Sequence, residues 1–448
     1  MIAVGMVGIG ALGALSFTII GERRWAVCGL SLLVVCAQGY LVVTAPGQLQ
    51  LPQLGLTLAI SGVSKAFLLT LYLGFAAQFL YASTFPLDRA FHSLALAFSA
   101  TITAAILLSN QLALAGLVLV VGLAISVYGL GRRCASAGDL DAVMSMLIAA
   151  AVAAVAFLVC VLLIDVYEST HDPGAIRIVA AALSVATGTL MAVFPFHFWL
   201  TRLADLAPPM VTAWLAGYSG AAMAILIVAS TEAYPWLHSS ERVVELVRWG
   251  GVVAAVVGAA LALGTKRLDR LSVYAGISAM GVLVLGTACT SAVGLVGTTY
   301  LALNHVLCVL LLFMSVGLSS VAPSNGETGA PGVPGLARAG LLAGGLAIAG
   351  LPPFGGFAGR WLVYEAALSH DPLLVAGSLL SSLLVMAAFV RTLLGSRRCA
   401  EPLPGASSGS MPALAMSLVT LALLVMGVYP SPLLSVIAET ILTFPGLG

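Results

Sequence analysis

Very few residues of this chain could do chemistry. Asp, Glu, Lys and Arg together make up 8% of its 448 residues, and there are six histidines. An ionisable group at the centre of a bilayer costs about 2.5–3.5 kcal/mol on insertion scales, so those inside apolar runs mark a path or a partner. His305 lies in Leu303-Asn304-His305-Val306-Leu307, and a histidine side chain can titrate near neutral pH, as a proton relay requires. Arg360 closes Gly350-Leu351-Pro352-Pro353-Phe354-Gly355-Gly356-Phe357-Ala358-Gly359-Arg360. A guanidinium keeps its proton in nearly any protein setting and suits a fixed charge or gate better than a relay. Lys65 follows Ser61-Gly62-Val63-Ser64, where its long stem can snorkel to an interface as well as act at depth. His197, in Phe194-Pro195-Phe196-His197-Phe198-Trp199-Leu200, stands at a span end, where capping a helix competes with proton transfer. Glu365 and Arg391 are near span ends, where interface placement competes with a functional role, and Glu365 is also a candidate to pair with Arg360.

Backbone groups are the other candidates. Pro195, and Gly350, Pro352, Pro353, Gly355 and Gly356 with Gly359, can break helices inside apolar segments. Proline removes a donor and clashes with the preceding turn, and glycine supplies a permissive backbone. Broken helices free carbonyls and amides that can handle ions, provided protein or water surrounds them. The spacing predicts two half-helices joined by an unwound stretch near Pro352–Gly356, with Arg360 just beyond it. A kinked but continuous helix is the alternative.

The elements that must position these groups are membrane spans. Hydrophobic residues make up 61% of the chain and mean hydropathy is +1.12, against roughly 25% charged residues in a soluble domain. A window of about 19 residues finds 14 apolar cores: 2–20, 26–44, 56–81, 90–108, 111–130, 141–164, 176–196, 208–230, 247–264, 271–289, 294–321, 337–366, 372–394 and 412–435. The apolar start lacks a basic leader and reads as the first helix. Ala322 to Gly335 and Cys399 to Met411 read as flexible loops. The seven cysteines are scattered, with no pattern for an iron–sulfur or zinc site. No soluble domain fits, so no nucleotide or flavin site is expected. Arg23, Arg24, Arg89, Arg132, Arg133, Arg202, Lys266, Arg267, Arg270, Arg338, Arg397 and Arg398 follow odd-numbered spans. The positive-inside bias then puts both termini outside the cytoplasm.

Four motifs, in order, resemble one family. The His197 edge is followed by Ala207-Pro208-Pro209-Met210-Val211-Thr212-Ala213. Lys266-Arg267-Leu268-Asp269-Arg270-Leu271-Ser272-Val273-Tyr274-Ala275-Gly276 forms a basic turn and helix, and the His305 and Gly350–Arg360 helices complete the set. The pattern resembles the antiporter-like membrane subunits of respiratory complex I (N-, M- and L-type NADH–quinone oxidoreductase subunits), of membrane-bound hydrogenases and of Mrp-type cation/proton antiporters. The resemblance implies an all-α polytopic membrane protein of about 14 transmembrane helices, with two inverted five-helix repeats and discontinuous helices. Residues 1–89 would hold helices 1–3, 90–231 the first repeat, 245–396 the second, and 412–435 the last helix. The short chain looks more like the N- and M-type subunits than the L-type.

The departures concern buried charge. Where the family carries a Glu in the fifth span, a Lys before the proline edge of the seventh and a Lys in the eighth, the matching residues are Ala124, Leu190 and Gly220. No Asp or Glu occurs between Arg89 and Asp139, so the fifth-span carboxylate is missing whatever the alignment. Losing a Glu–Lys pair together is stable but removes the proton-loading switch. The resemblance therefore implies a membrane subunit of a complex I-like or hydrogenase-like, redox-driven proton- or cation-translocating complex with a degenerate first half-channel. A structural or coupling subunit without its own ion path stays open, as does an Mrp-type antiporter or energy-coupled inorganic-carbon uptake subunit. No catalytic centre, metal or cofactor is expected in this chain. Flavin, iron–sulfur or nickel–iron centres would sit on partner subunits, with quinone a further candidate in the complex. Expected partners are other membrane subunits, including further antiporter-like ones, the lipid bilayer, and protons or cations, but no nucleic acid. The expected location is a bacterial or archaeal plasma membrane.

Overall fold

A computed structural model describes residues 2–20, 24–51, 56–84, 90–131, 137–238, 240–321, 335–395 and 410–444. Helices α1 (Ile2–Ile20) and α2 (Arg24–Thr44) lead through two strands, β1 (Gln48–Leu51) and β2 (Leu56–Ala59), to α3 (Gly62–Ala82). Next come α4 (Ala90–Leu107), α5 (Leu112–Gly131) and α6 (Ala137–Thr170). The seventh span is split into α7 (Pro173–Leu190) and α8 (Phe198–Leu206). The eighth comprises α9 (Pro209–Ala213), a π-helical turn (Trp214–Tyr218) and α10 (Ser219–Ala233). A 3-10 turn (Pro235–His238) precedes α11 (Glu241–Gly264), α12 (Leu268–Ala288) and α13 (Ala292–Val321). The twelfth span is again split, into α14 (Gly335–Ala349) and α15 (Gly356–Leu368), followed by α16 (Pro372–Gly395), α17 (Ser410–Val428) and α18 (Ser431–Ile441).

Among the described residues, ten helical segments of 19 to 33 residues are long and apolar enough to cross a membrane. Shorter apolar helices supply spans 1, 4, 7 and 12, so the molecule is an all-helical polytopic membrane protein with discontinuous helices. Two boundaries differ from the sequence reading. Residues 56–59, expected in span 3, pair instead with Gln48–Leu51, Gln48 opposite Ala59. The alternation Gln-Leu-Gln-Leu against Leu-Thr-Leu-Ala is a strand pattern. The expected span 412–435 ends at Val428, because Pro430 and Pro432 start a new helix, α18. The loops expected at 322–335 and 399–411 fall almost wholly outside the described residues, as do Arg23, Arg89, Arg132, Arg133, Arg397 and Arg398.

Span parity can be read from contacts at the helix ends. Arg270, at the start of α12, donates to both Asp205 oxygens of α8 (3.0 and 2.6 Å), and Arg267 bridges Asp205 (3.1 Å) and Asp269 (2.5 Å). This ion network ties the end of span 7 to the end of span 9. Arg391 of α16 donates to the Thr265 carbonyl, and Arg338 of α14 to Leu393 at 3.0 Å. The ends of spans 7, 9, 11 and 13 therefore share one face. The opposite face collects the even-numbered ends: Tyr234 donates to Asn110 at 3.2 Å, Tyr167 lies against Trp236, and the His370 ring bonds the Cys289 carbonyl at 3.1 Å.

Helices α10, α12 and α13 are almost wholly enclosed, whereas α6, α11, α16 and α17 turn much of their surface outward. Small residues allow the closest approaches: Gly281 packs on the Ala255 backbone, Gly258 on Ser278, and Gly297 on Gly359. The last contact fixes α15, and so Arg360, against α13.

Candidate functional site

Helix α13 carries the only sequence candidate that can titrate inside the bundle. His305 is 2% exposed, and its Nε2 stands 3.3 Å from the Ala216 carbonyl. A carbonyl only accepts, so Nε2 bears the hydrogen. Ala216 belongs to the π-helical turn, whose wider winding presents this carbonyl to a neighbouring helix. The bond therefore links span 8 to span 11. The other ring nitrogen, Nδ1, is buried and has no hydrogen-bond partner among the described residues, and the same holds for Asn304 Oδ1. Both residues line a cavity of about 10 Å³ that Arg360 also borders, with Leu301 and Ile348 among its apolar walls. That is about the least space that holds one water.

Arg360 is built in as a strut. Its Nη1 donates to Ser382 Oγ and its Nη2 to the Ile348 carbonyl, both at 2.8 Å. Ser382 donates onward to the Ser378 carbonyl at 3.2 Å and shares a 3.1 Å hydrogen bond with Tyr364. Ile348 lies in the last turn of α14, where a cation offsets the helix dipole and satisfies a free carbonyl. The guanidinium stem crosses Gly350, whose φ is +78° and whose missing side chain makes the room. Among the described residues no carboxylate pairs with Arg360.

The chain is unwound from Gly350 to Gly355, which decides for two half-helices and against a kink. Gly355 N–H leaves its own span and donates to the Leu423 carbonyl of α17 at 3.0 Å. Gly427 of α17 packs on the backbone of Pro353 and Phe354, and Asn304 lies against Gly355 and Gly356. Protein thus encloses one side of the break, while Pro352 and Pro353 are exposed on the other. The break in span 7 is closed similarly: Trp199 Nε1 donates to the Thr189 carbonyl at 3.0 Å, below the turn that contains Pro195.

Spans 3 to 8 enclose a different interior. Leu190 is buried. A Cβ on Gly220 would stand 2.7 Å from Met280 Cε, so a methionine of α12 fills the space a longer side chain would need. Trp214 stacks between Phe91 and Phe98, with ring centres 5.4 and 5.9 Å away, and Phe75 meets Tyr218 edge-on at 4.9 Å. The buried polar groups here and on the neighbouring first two spans are neutral: Tyr72 bonds Thr103 at 2.8 Å, Thr103 the Ser99 carbonyl at 2.8 Å and Gln38 the Met6 carbonyl at 2.9 Å, while Trp214 Nε1 and the Tyr218 hydroxyl have no hydrogen-bond partner among the described residues.

Two candidates, Ala124 and Glu365, move from their expected places. Ala124 is exposed, and Gly122 and Leu123 face the interior at that turn; a helix turns about 100° per residue, and the expected position falls on the outer side. The inward residues there are also neutral. Glu365, expected on an ion path or beside Arg360, is exposed, five residues along α15 from Arg360 and off its face. Lys65 is half-buried and donates to the Ala45 carbonyl at 2.8 Å, capping the end of α2. His197 is half-buried and caps α8 through its carbonyl, which accepts from Leu200 (3.1 Å) and Thr201 (3.3 Å). One buried histidine was missed. His92 of α4 bonds Ser31 at 3.0 Å and stacks on Phe79. Its nearness to Arg89 and the span start disguised it as an interfacial residue.

Comparison with known proteins gives the same picture. Residues 68–385 match the profile of a family described as NADH:quinone oxidoreductase/Mrp antiporter, TM. An NADH-quinone oxidoreductase subunit N from Geotalea uraniireducens is 30% identical over 292 residues, covering 61% of this chain and 60% of that protein. The chain spans 54 to 60% of the length of the first such relatives. Among solved structures, a chain of respiratory complex I from Thermus thermophilus superposes with a TM-score of 0.79 at 21% identity, covering 100% of both chains. A chain of the archaeal membrane-bound sulfane sulfur reductase gives 0.81 at 18%, covering 97% of this chain and 77% of that one.

Proposed function

The chain belongs to the NADH:quinone oxidoreductase/Mrp antiporter membrane family, and from that premise we propose that it is a membrane subunit of a complex I-like or hydrogenase-like, redox-driven proton- or cation-translocating complex, with a first repeat that conducts nothing. The observation that carries the second half of this reading is the character of the interior. Among the described residues no Asp, Glu or Lys is buried; the buried cations are Arg248 and Arg360, and the buried histidines His92 and His305. A relay needs groups that exchange protons near working pH. In the segment 90–231 the residues matching the family's charged positions are neutral: Ala124 is exposed, Leu190 is buried, and Met280 fills the space beside Gly220. In the segment 245–396 His305 is, among the described residues, the buried group able to relay a proton, with a ring nitrogen that has no hydrogen-bond partner at a cavity the size of one water. Arg360 holds the split helix and provides a fixed positive charge. Electron transfer belongs to partner subunits with their own centres. Both termini lie outside the cytoplasm in this reading.

A second reading has the chain conduct no ion at all and only couple its neighbours mechanically. It is favoured by the use of Arg360 as a strut between Ser382 and the Ile348 carbonyl. One experiment separates the two: purify the native complex through a tag on this chain, identify its subunits, and reconstitute it with wild-type or His305→Ala chain. The proposal expects redox subunits to co-purify, electron transfer to persist in the variant, and ion translocation per electron to fall. Unchanged translocation would favour the coupling reading. Co-purification of small antiporter subunits or a zinc protein, without redox subunits, would overturn both in favour of a transporter.

A further inference from the structure

On the face where the even-numbered spans end, a buried guanidinium without a counter-ion lies beside an apolar crevice. The crevice measures about 100 Å³ and is framed by α7, α10, α11 and α12, with Ala180, Leu183, Ile227, Val244, Val247 and Val284 on its walls. Three hydroxyl residues also reach it, but each donates within its own helix: Ser184 to Ala180 at 2.7 Å, Thr187 to Leu183 at 2.7 Å, and Thr287 to Val284 at 2.8 Å. The walls therefore present hydrocarbon and hold no donor in search of a partner.

The upper end is chemically different. Ala288, the last residue of α12, lines the crevice, and its carbonyl accepts from Arg248 Nε at 2.8 Å. Arg248 is only 9% exposed. Among the described residues no carboxylate pairs with it, and its two Nη groups have no hydrogen-bond partner. Glu241 and Glu245, on the same helix, are exposed. The crevice also touches Leu237, next to Trp236, which packs on Tyr167 and Tyr234. Such aromatic clusters mark the headgroup level of a bilayer. A buried charge without a partner is unfavourable, and an anion at that level would satisfy it.

We propose that this crevice binds one anionic phospholipid of the adjoining leaflet, its acyl chain along the apolar walls and its phosphate oxygens accepting hydrogen bonds from the Arg248 Nη groups. The full chain, purified in mild detergent, would be incubated with phosphatidylglycerol or phosphatidylcholine of identical acyl chains carrying a photoreactive group, and the cross-links mapped by mass spectrometry. Phosphatidylglycerol should label residues 183–187 and 243–247 about tenfold more strongly than phosphatidylcholine, whose choline cation cancels the net charge of the phosphate and would be brought close to Arg248. Arg248→Gln should abolish that preference, and Ala180→Phe should abolish the labelling by filling the slot. Equal labelling by the two lipids in the wild-type chain, or labelling concentrated elsewhere, overturns the proposal whether or not the variants fold. Displacement of the probe by a free fatty acid as readily as by unlabelled phosphatidylglycerol would overturn the phospholipid assignment.

Discussion

Replacing Gly350 by alanine tests how the split twelfth span is held together. Two costs arise at one atom. The backbone there has φ +78°, and a left-handed conformation costs an ordinary residue about 1–2 kcal/mol. The added methyl would also overlap Cδ and Nε of Arg360, pushing the guanidinium off Ser382 and the Ile348 carbonyl. Hydrogen bonds to a charged group are worth about 1.5–3 kcal/mol each. Arg360 is flexible enough to keep one of them, so the total should be about 2.5–5 kcal/mol. Thermal unfolding of the purified protein in detergent would measure it. The decisive comparison is a double-mutant cycle: with Arg360→Met in place, Gly350→Ala should cost only the backbone part, about 1–2 kcal/mol. An equal cost in both backgrounds would refute the claim that Gly350 is needed to seat the arginine.

Gly220→Ala should be nearly neutral, because the Met280 methyl it meets is the far end of a flexible side chain, whereas Gly220→Lys should cost about 2.5–3.5 kcal/mol as an unpaired mid-span charge; the yield of folded protein compares them. Trp199→Phe should lower stability by about 1 kcal/mol by removing the indole hydrogen bond that ties the seventh-span break to the Thr189 carbonyl, which keeps the Ala192 N–H at 3.2 Å, read by the same unfolding assay. The hydrogen bond from Arg270, aided by Arg267, holds the Asp205 carboxyl below its ordinary pKa. Its stabilisation is therefore present above the usual carboxylate range and lost as pH falls through the lowered value. Because the pair is partly exposed, Asp205→Asn should cost less than about 1 kcal/mol at pH 7, and the difference from wild type should vanish in acid.

The spans, their parity and the split of the twelfth were legible because length, apolarity and the proline–glycine run act locally. Proline restricts the backbone and glycine frees it wherever they stand, and the Gly350–Gly356 run leaves no continuous ladder. Side-chain facing was less legible. Ala124 sits one residue from Leu123, yet the 100° between them separates outside from inside. Glu365 was offered as a partner for Arg360 on proximity in sequence, but five residues along a helix do not return to one face. The neutral bonds that hold Arg360 come from Ser382 and Ile348, residues distant in sequence and ordinary in type. Lys65 likewise meets a carbonyl twenty residues earlier, across a hairpin whose strand pattern was masked by an apolar run. His305 was found because a histidine mid-span is rare; that it reaches a π-helical turn depends on an eighth-span winding with no plain sequence mark.

The central claim is that spans 4 to 8 carry no proton path and that the titratable centre of the chain is His305. It is tested most directly by a cryo-electron microscopy map of the native complex, resolved well enough to show ordered water. The account predicts no continuous file of water from one membrane face to the other through spans 4 to 8, with Met280 seated against Gly220, and a single water beside His305, Asn304 and Arg360. A continuous water file through spans 4 to 8, reaching an acidic or lysine side chain at mid-depth, would contradict it.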